Sequence, residues 1–229
     1  MIKKILLSFG AAFTVMLMLL CVRTLAEELD YTVVASDGYD TSFLKDDDYF
    51  TTDYYMEGDT LTFTADDNID GIYIKWDTEP GTWTLSADGK ESTHGENDFL
   101  HEYIRLDLPA RELKITIAKD RTYIADVYLF SAGELPDWVE VWEKPWDKAD
   151  ILFFSTHSDD EVLFFGGLIP TYTDKGYNVQ VAYFCNFAEA EPYRRHEQLS
   201  GIWTMGVDHY PQLGIFDDIP LVLNTTEVS

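Results

Sequence analysis

At 229 residues the chain is long enough for one large domain or two modest ones. A composition of 46% hydrophobic and 15% aromatic residues supports a packed core and excludes a disordered chain. The formal net charge of -26 argues against nucleic acid as a partner, since phosphate recognition needs clustered Lys and Arg, and against an anionic membrane surface for the same reason. A neutral or cationic substrate fits such a surface better.

The first 26 residues read as a secretory signal peptide. Lys3 and Lys4 form a basic start, Ile5 to Val22 is nearly all apolar, and Thr24 and Ala26 are small residues set just before Glu27-Glu28. An uncleaved anchor is the competing reading, because the apolar run approaches membrane-spanning length. Cleavage removes Lys3, Lys4 and Arg23 and makes the mature chain more acidic still. The expectation is a secreted or cell-surface protein with no membrane association after cleavage. Cys21 lies in the signal, so Cys185 alone would remain, as a buried strand residue with no disulfide partner.

Residues 27–132 read as an all-β domain. Leu61–Thr64, Ile72–Trp76, Trp83–Ser86, Leu113–Ile117 and Tyr123–Leu129 are rich in aromatic and β-branched residues. Asp70-Gly71, Pro80-Gly81 and Asp88-Gly89 are turn signals between them. Short strands without helical stretches predict a jelly-roll-like β-sandwich, with carbohydrate binding as its candidate role. The string GIYIKWDTEPGTWTLSADGK resembles secreted galactose-binding-like or discoidin-type sandwiches. Asp66, Asn68 and Asp70 match the opening of a calcium loop, with Asp77 at its twelfth position, but strand-like flanks favour a polar hairpin turn. The stretch Asp46 to Tyr55 could stack on sugar, with edge or loop packing as the plainer reading.

Residues 133–148 form a junction in which Trp138, Trp142 and Trp146 are expected to pack on a domain surface. From residue 149 to 229 the rhythm changes to strand, helix, strand, helix. Ile151–Phe154 and Val179–Phe184 are the strands, the first expected to be buried. Glu161 to Lys175 and Pro192 to Met205 are the helices, each closed by a glycine. That alternation predicts a partial Rossmann-like parallel α/β domain docked on the sandwich.

The most informative stretch is His157-Ser158-Asp159-Asp160-Glu161, between the first strand and a helix carrying Gly166-Gly167. Open α/β sheets gather ligands at that strand end. A His and an Asp three residues apart can bind one zinc ion, leaving the intervening Asp to act on water. An acidic helix N-terminus is the plainer alternative.

Residues 149 to 218 resemble the PIG-L (LmbE-like) N-deacetylases. The resemblance is carried by ILFFSTHSDDEVLFFGG, then DKGYNVQVAYF, then RRHEQLSGIWTMGV, then Leu213-Gly214-Ile215-Phe216-Asp217. It implies zinc ligation by His157 and Asp160, proton transfer by Asp159, a supporting role for Glu161 and sugar contacts for Arg194 and Asp217. It further implies removal of N-acetyl groups from an amino-sugar glycan or a cell-surface polysaccharide. Ser158 stands where the family carries proline, Pro170 should kink the first helix, and Cys185-Asn186-Phe187 replaces a Thr-Asp-Gly-like segment.

A catalytic zinc usually has three protein ligands. The family's third is a downstream His in a motif this sequence does not carry, so the chain is expected to be part of a longer deacetylase domain. His196 and His209 read as solvated or partly buried side chains, and His94 and His101 as sandwich residues. The alternative to an enzyme is a non-catalytic glycan- or surface-binding protein with an incomplete deacetylase portion.

Overall fold

The computed structural model describes residues 24–36, 38–185 and 193–214. Residues 1–23, Asn186, Phe187 and Asp217 lie outside that range, so the signal segment, the departure after the second strand and one candidate sugar contact are not placed. Ala26 already belongs to the folded body. Its N–H donates to the Glu134 carbonyl at 2.8 Å, and the Glu134 N–H donates to the Thr24 carbonyl at 2.9 Å.

The protein is mostly antiparallel β-sheet. Among the described residues eight strands join in one sheet: β1 (Glu28–Leu29), β2 (Tyr31–Ala35), β3 (Asp53–Tyr55), β4 (Thr60–Trp76), β5 (Trp83–Ala87), β6 (Lys90–His94), β7 (His101–Thr116) and β8 (Thr122–Phe130). β4 and β7 are the spine. The first half of β4 pairs with β2 and with the second half of β7, where β5 and β6 are added. The second half of β4 pairs with β8 and with the first half of β7. The sheet therefore folds into two layers that share one core, with Leu61, Phe63, Leu113 and Ile115 on one side and Ile72, Ile74, Trp76 and Leu129 on the other.

This corrects the reading of Asp66 to Gly71. The segment is neither a hairpin turn nor a calcium loop; it is the middle of β4, where the register with β7 slips between Thr64, Ile69 and Gly71. Asp66, Asp67 and Asn68 are exposed and need no cross-strand packing, while buried Ile69 keeps the strand on the core. On β7, between the partners of Ile69 and Gly71, Pro109 has no N–H to give the ladder. Pairing lapses on both strands without ending either, as at a bulge. Asp77 is engaged elsewhere, 2.6 Å from His196. The Asp88-Gly89 turn matches its expectation: both residues have positive φ, 48° and 84°, closing the two-residue β5–β6 hairpin.

The second half of β4 and nearly all of β8 are buried on both faces. Their inner side chains enter the sandwich core. Their outer ones, Tyr73, Tyr128 and Phe130, form a second small cluster with Ala26 and Val139. That layer is thus the middle of three, covered by the junction and by the last helix.

The α/β part has two parallel strands, β9 (Ile151–Ser155) and β10 (Val179–Tyr183), in register from Val179↔Ile151 to Tyr183↔Ser155. Gln212 bridges Ala182 in parallel beyond β10. Among the described residues three α-helices follow: α1 (Asp160–Phe165), α2 (Leu168–Thr173) and α3 (Tyr193–Thr204). The single helix expected from Glu161 to Lys175 is two. Proline cannot bond the carbonyl four residues back and its ring crowds it, here that of Gly166, so the break falls at Gly166-Gly167 and Pro170 sits in the first turn of α2. β9 is half-buried rather than buried: Phe153 packs inward, whereas Leu152 and Phe154 are 60% and 55% exposed.

Candidate functional site

The His157–Glu161 loop leaves the carboxyl end of β9 and runs directly into α1. Asp160 shapes it. The backbone N–H groups of Thr156 and His157 donate to Asp160 Oδ2 at 3.2 and 3.0 Å. His157 Nδ1 lies 3.5 Å from the same oxygen. Two ligand atoms at about 2.0–2.1 Å from a tetrahedral zinc stand about 3.4 Å apart, so this spacing fits a shared metal. The two backbone donors fix the carboxylate at the turn into α1.

Asp159 is half-exposed beside the loop, with Arg194 Nη2 at 3.5 Å from its Oδ2. Arg194 reaches over from α3, and its Nε–H also points to Ser158 Oγ at 3.4 Å. Ser158 thus ties the loop to α3 through its side chain. Glu161 is buried, 1% exposed, beneath the loop. Burial pushes its carboxyl up to about 7, and the charges of Asp159 and Asp160 push the same way. The structure brings together His157, Asp159, Asp160, Glu161 and Arg194. Among the described residues no group of three His, Cys, Asp or Glu side chains could hold a metal ion.

The remaining histidines are engaged elsewhere. His94 is 2.7 Å from Ser92 Oγ, and His209 stacks on Trp146 at 3.6 Å between centroids and meets Asp208. His101 and His196, expected as a sandwich residue and a solvated or partly buried side chain, are both fully buried and touch each other. They lie 95 residues apart in sequence, so no local pattern pointed to the pair.

A second feature went unread in the sequence. A cleft of about 820 Å³ opens between the middle β-layer, the junction and α3. Tyr49, Tyr128, Trp138 and Trp203 supply rings; Glu28, Asp47, Asp137 and Glu140 supply carboxylates. Lys75 is 5% exposed at its base. It donates to Tyr49 Oη at 3.0 Å and lies 4.5 Å from that ring's centroid and 5.3 Å from that of Tyr128. The Tyr128 hydroxyl donates to Asp47 Oδ1 at 2.8 Å. Trp138 packs edge-on to Tyr128 at 5.0 Å and remains 43% exposed. The acid-aromatic stretch Asp46 to Tyr55 therefore contributes Asp47 and Tyr49 to a wall of the cleft.

No family model and no curated protein matches the chain. Similar solved structures include CpGH89CBM32-6 of Clostridium perfringens, at 16% identity over 44% of this chain and 94% of that one, TM-score 0.36. A pectin-binding carbohydrate-binding module is 19% identical over 48% and 96%, TM-score 0.35. A family two carbohydrate esterase from Cellvibrio japonicus is 11% identical over 68% and 52%, TM-score 0.29. TM-scores of this size do not bear on function.

Proposed function

We propose that this chain is a glycan-directed protein that holds carbohydrate in the cleft between the β-sandwich and α3. The observation that carries the reading is the cleft's lining. Exposed Trp138, with half-buried Tyr49 and Trp203 near it, offers a flat apolar face to the C–H face of a sugar, while Glu28, Asp47 and Asp137 accept from its hydroxyls; a few placed polar groups among rings is the usual make-up of a small-molecule site. A protein exported to the cell surface would meet such polymers there, which agrees with the signal-like start of the sequence. Among the described residues no helix is long and apolar enough to cross a membrane. The test is calorimetric titration with soluble oligosaccharides, N-acetylglucosamine oligomers included. Trp138→Ala should weaken binding roughly tenfold or more, as loss of an aromatic anchor does. Unchanged affinity in that variant, or no binding by the parent, refutes the cleft as the site.

The 3.5 Å approach of His157 to Asp160 favours a second reading, a zinc-dependent N-deacetylase of the PIG-L kind. His157 and Asp160 would hold the metal with a third ligand from outside the described residues, and zinc would supply Lewis acidity to the amide and to a bound water. Asp159 would take a proton from that water and return it to the departing amine, leaving acetate. Arg194 would orient the sugar and steady Asp159. Acetate release from N-acetylglucosamine oligomers should disappear in His157→Ala and fall about 10²–10⁴-fold in Asp159→Asn. A rate unaffected by Asp159→Asn removes it as the base.

A further inference from the structure

Four buried side chains form a continuous line where the sandwich, the junction and α3 meet. Asp77 Oδ1 is 2.6 Å from His196 Nε2, His196 Nδ1 is 2.7 Å from His101 Nε2, and His101 Nδ1 is 2.5 Å from Glu140 Oε2. The two rings stack with centroids 5.0 Å apart. All four residues are at most 2% exposed. Glu140 is further held by the Ser200 hydroxyl at 2.7 Å and the Trp142 indole N–H at 2.9 Å.

The line has three close contacts, and each needs one proton between its heavy atoms. Two neutral imidazoles supply two. If both donate outward to the carboxylates, two bare nitrogen lone pairs face each other at 2.7 Å inside the protein. That is a repulsive contact between unsatisfied buried acceptors. A third proton removes it. The groups facing the line leave room for that charge: the carboxylates of Asp77 and Glu140 bracket it, and Tyr49 and Tyr73 present rings to His196 and His101. Lys75 opposes it but is itself set beside Asp126 across β4 and β8. Burial holds His196 down to about 4. Burial alone would raise Glu140, but His101 and the donors around it draw its carboxyl below the ordinary value. The third proton therefore sits in the contact between the two rings, with a carboxylate beyond each.

We infer that Asp77, His196, His101 and Glu140 form a pH-dependent latch that takes up one proton when the sandwich closes on α3. Asp77 and His101 come from the sandwich, Glu140 from the junction and His196 from α3. The unfolded groups bind two protons when both histidines are neutral and four when both are charged; the latch binds three. Stability from the latch is therefore greatest near the ordinary histidine value of about 6.5. It falls as pH rises, because the folded form must surrender a proton the unfolded form no longer holds. It falls again in acid, where the unfolded form takes up the fourth. Glu140 and Ser200 also line the cleft, so release of the latch loosens one wall of it.

Two measurements on the whole chain test this. In a ¹⁵N-histidine spectrum at about pH 8, with His101 and His196 assigned through their contacts with Tyr73 and Tyr49, three of the pair's four ring nitrogens should carry protons. Two protonated nitrogens overturn the inference, and this readout needs no variant. In urea unfolding between about pH 7.5 and 8.5, where Asp126 and Glu161 contribute equally to both proteins, the folding constant should fall about tenfold more per pH unit in the parent than in His101→Gln. Parallel pH slopes overturn it.

Discussion

Asp126 shows what burial does to one carboxyl in this molecule. It is fully buried on β8, and burial drives it up to about 6, against the pull of Lys75 and of the Asp47 N–H that donates to it at 3.2 Å. The folded state therefore binds that proton more tightly than the unfolded chain. Its contribution is whole below the ordinary carboxyl value near 4 and is lost as pH rises through about 6. Asp126→Asn should stabilise the protein by about 3 kcal/mol at pH 8 and leave it unchanged near pH 3.5, in denaturant unfolding at the two pH values. At this scale the strand-end cluster was legible because its members are sequence neighbours on one turn. The chain from Asp77 to Glu140 was not: its partners are assembled across 119 and 39 residues. A lone histidine among polar neighbours carries no mark of such a partner.

The two glycines between α1 and α2 have different jobs. A Cβ on Gly166 would stand 2.5 Å from the Val162 carbonyl, whereas one on Gly167 would meet nothing within 4 Å. Gly166→Ala should lower stability by about 1–3 kcal/mol as the turn shifts. Gly167→Ala should be neutral or stabilise by up to about 1 kcal/mol, by restricting the unfolded chain. Thermal melts of the two variants decide it. Close backbone approach thus belongs to Gly166 and not to Gly167. Parallel β9 and β10 and helix α3 were readable from periodicity and closing glycines. The length of β4 and β7 was not, because Asp66-Asp67-Asn68 and Arg105 to Pro109 look like turns. What keeps them extended is the opposite strand's register and the buried anchors Ala65, Ile69 and Ala110, which are tertiary facts.

Sandwich and α/β part meet through specific contacts rather than a tether. The Tyr210 hydroxyl accepts from the Leu100 N–H at 3.1 Å, and its ring stacks on Phe99. Trp142 lies edge-on to both Trp203 and Tyr210, and Gln180 on β10 reaches the Trp146 N–H and the Tyr210 carbonyl. Calorimetry should show one unfolding transition with equal calorimetric and van't Hoff enthalpies. Tyr210→Ala should lower its midpoint, and two resolved transitions in the parent would show the parts unfolding separately. The pairing of β1 with β8 has a kinetic side. Glu28 meets Phe130 and Leu29 meets Leu129, so an edge of the sandwich closes only when residues at opposite ends of that region find each other. Such distant pairing bears a large loop-closure cost before any reward and slows folding. On the ribosome the first strand must wait for the eighth, and the outer face of the middle layer stays bare longer still, until the junction and α3 have followed.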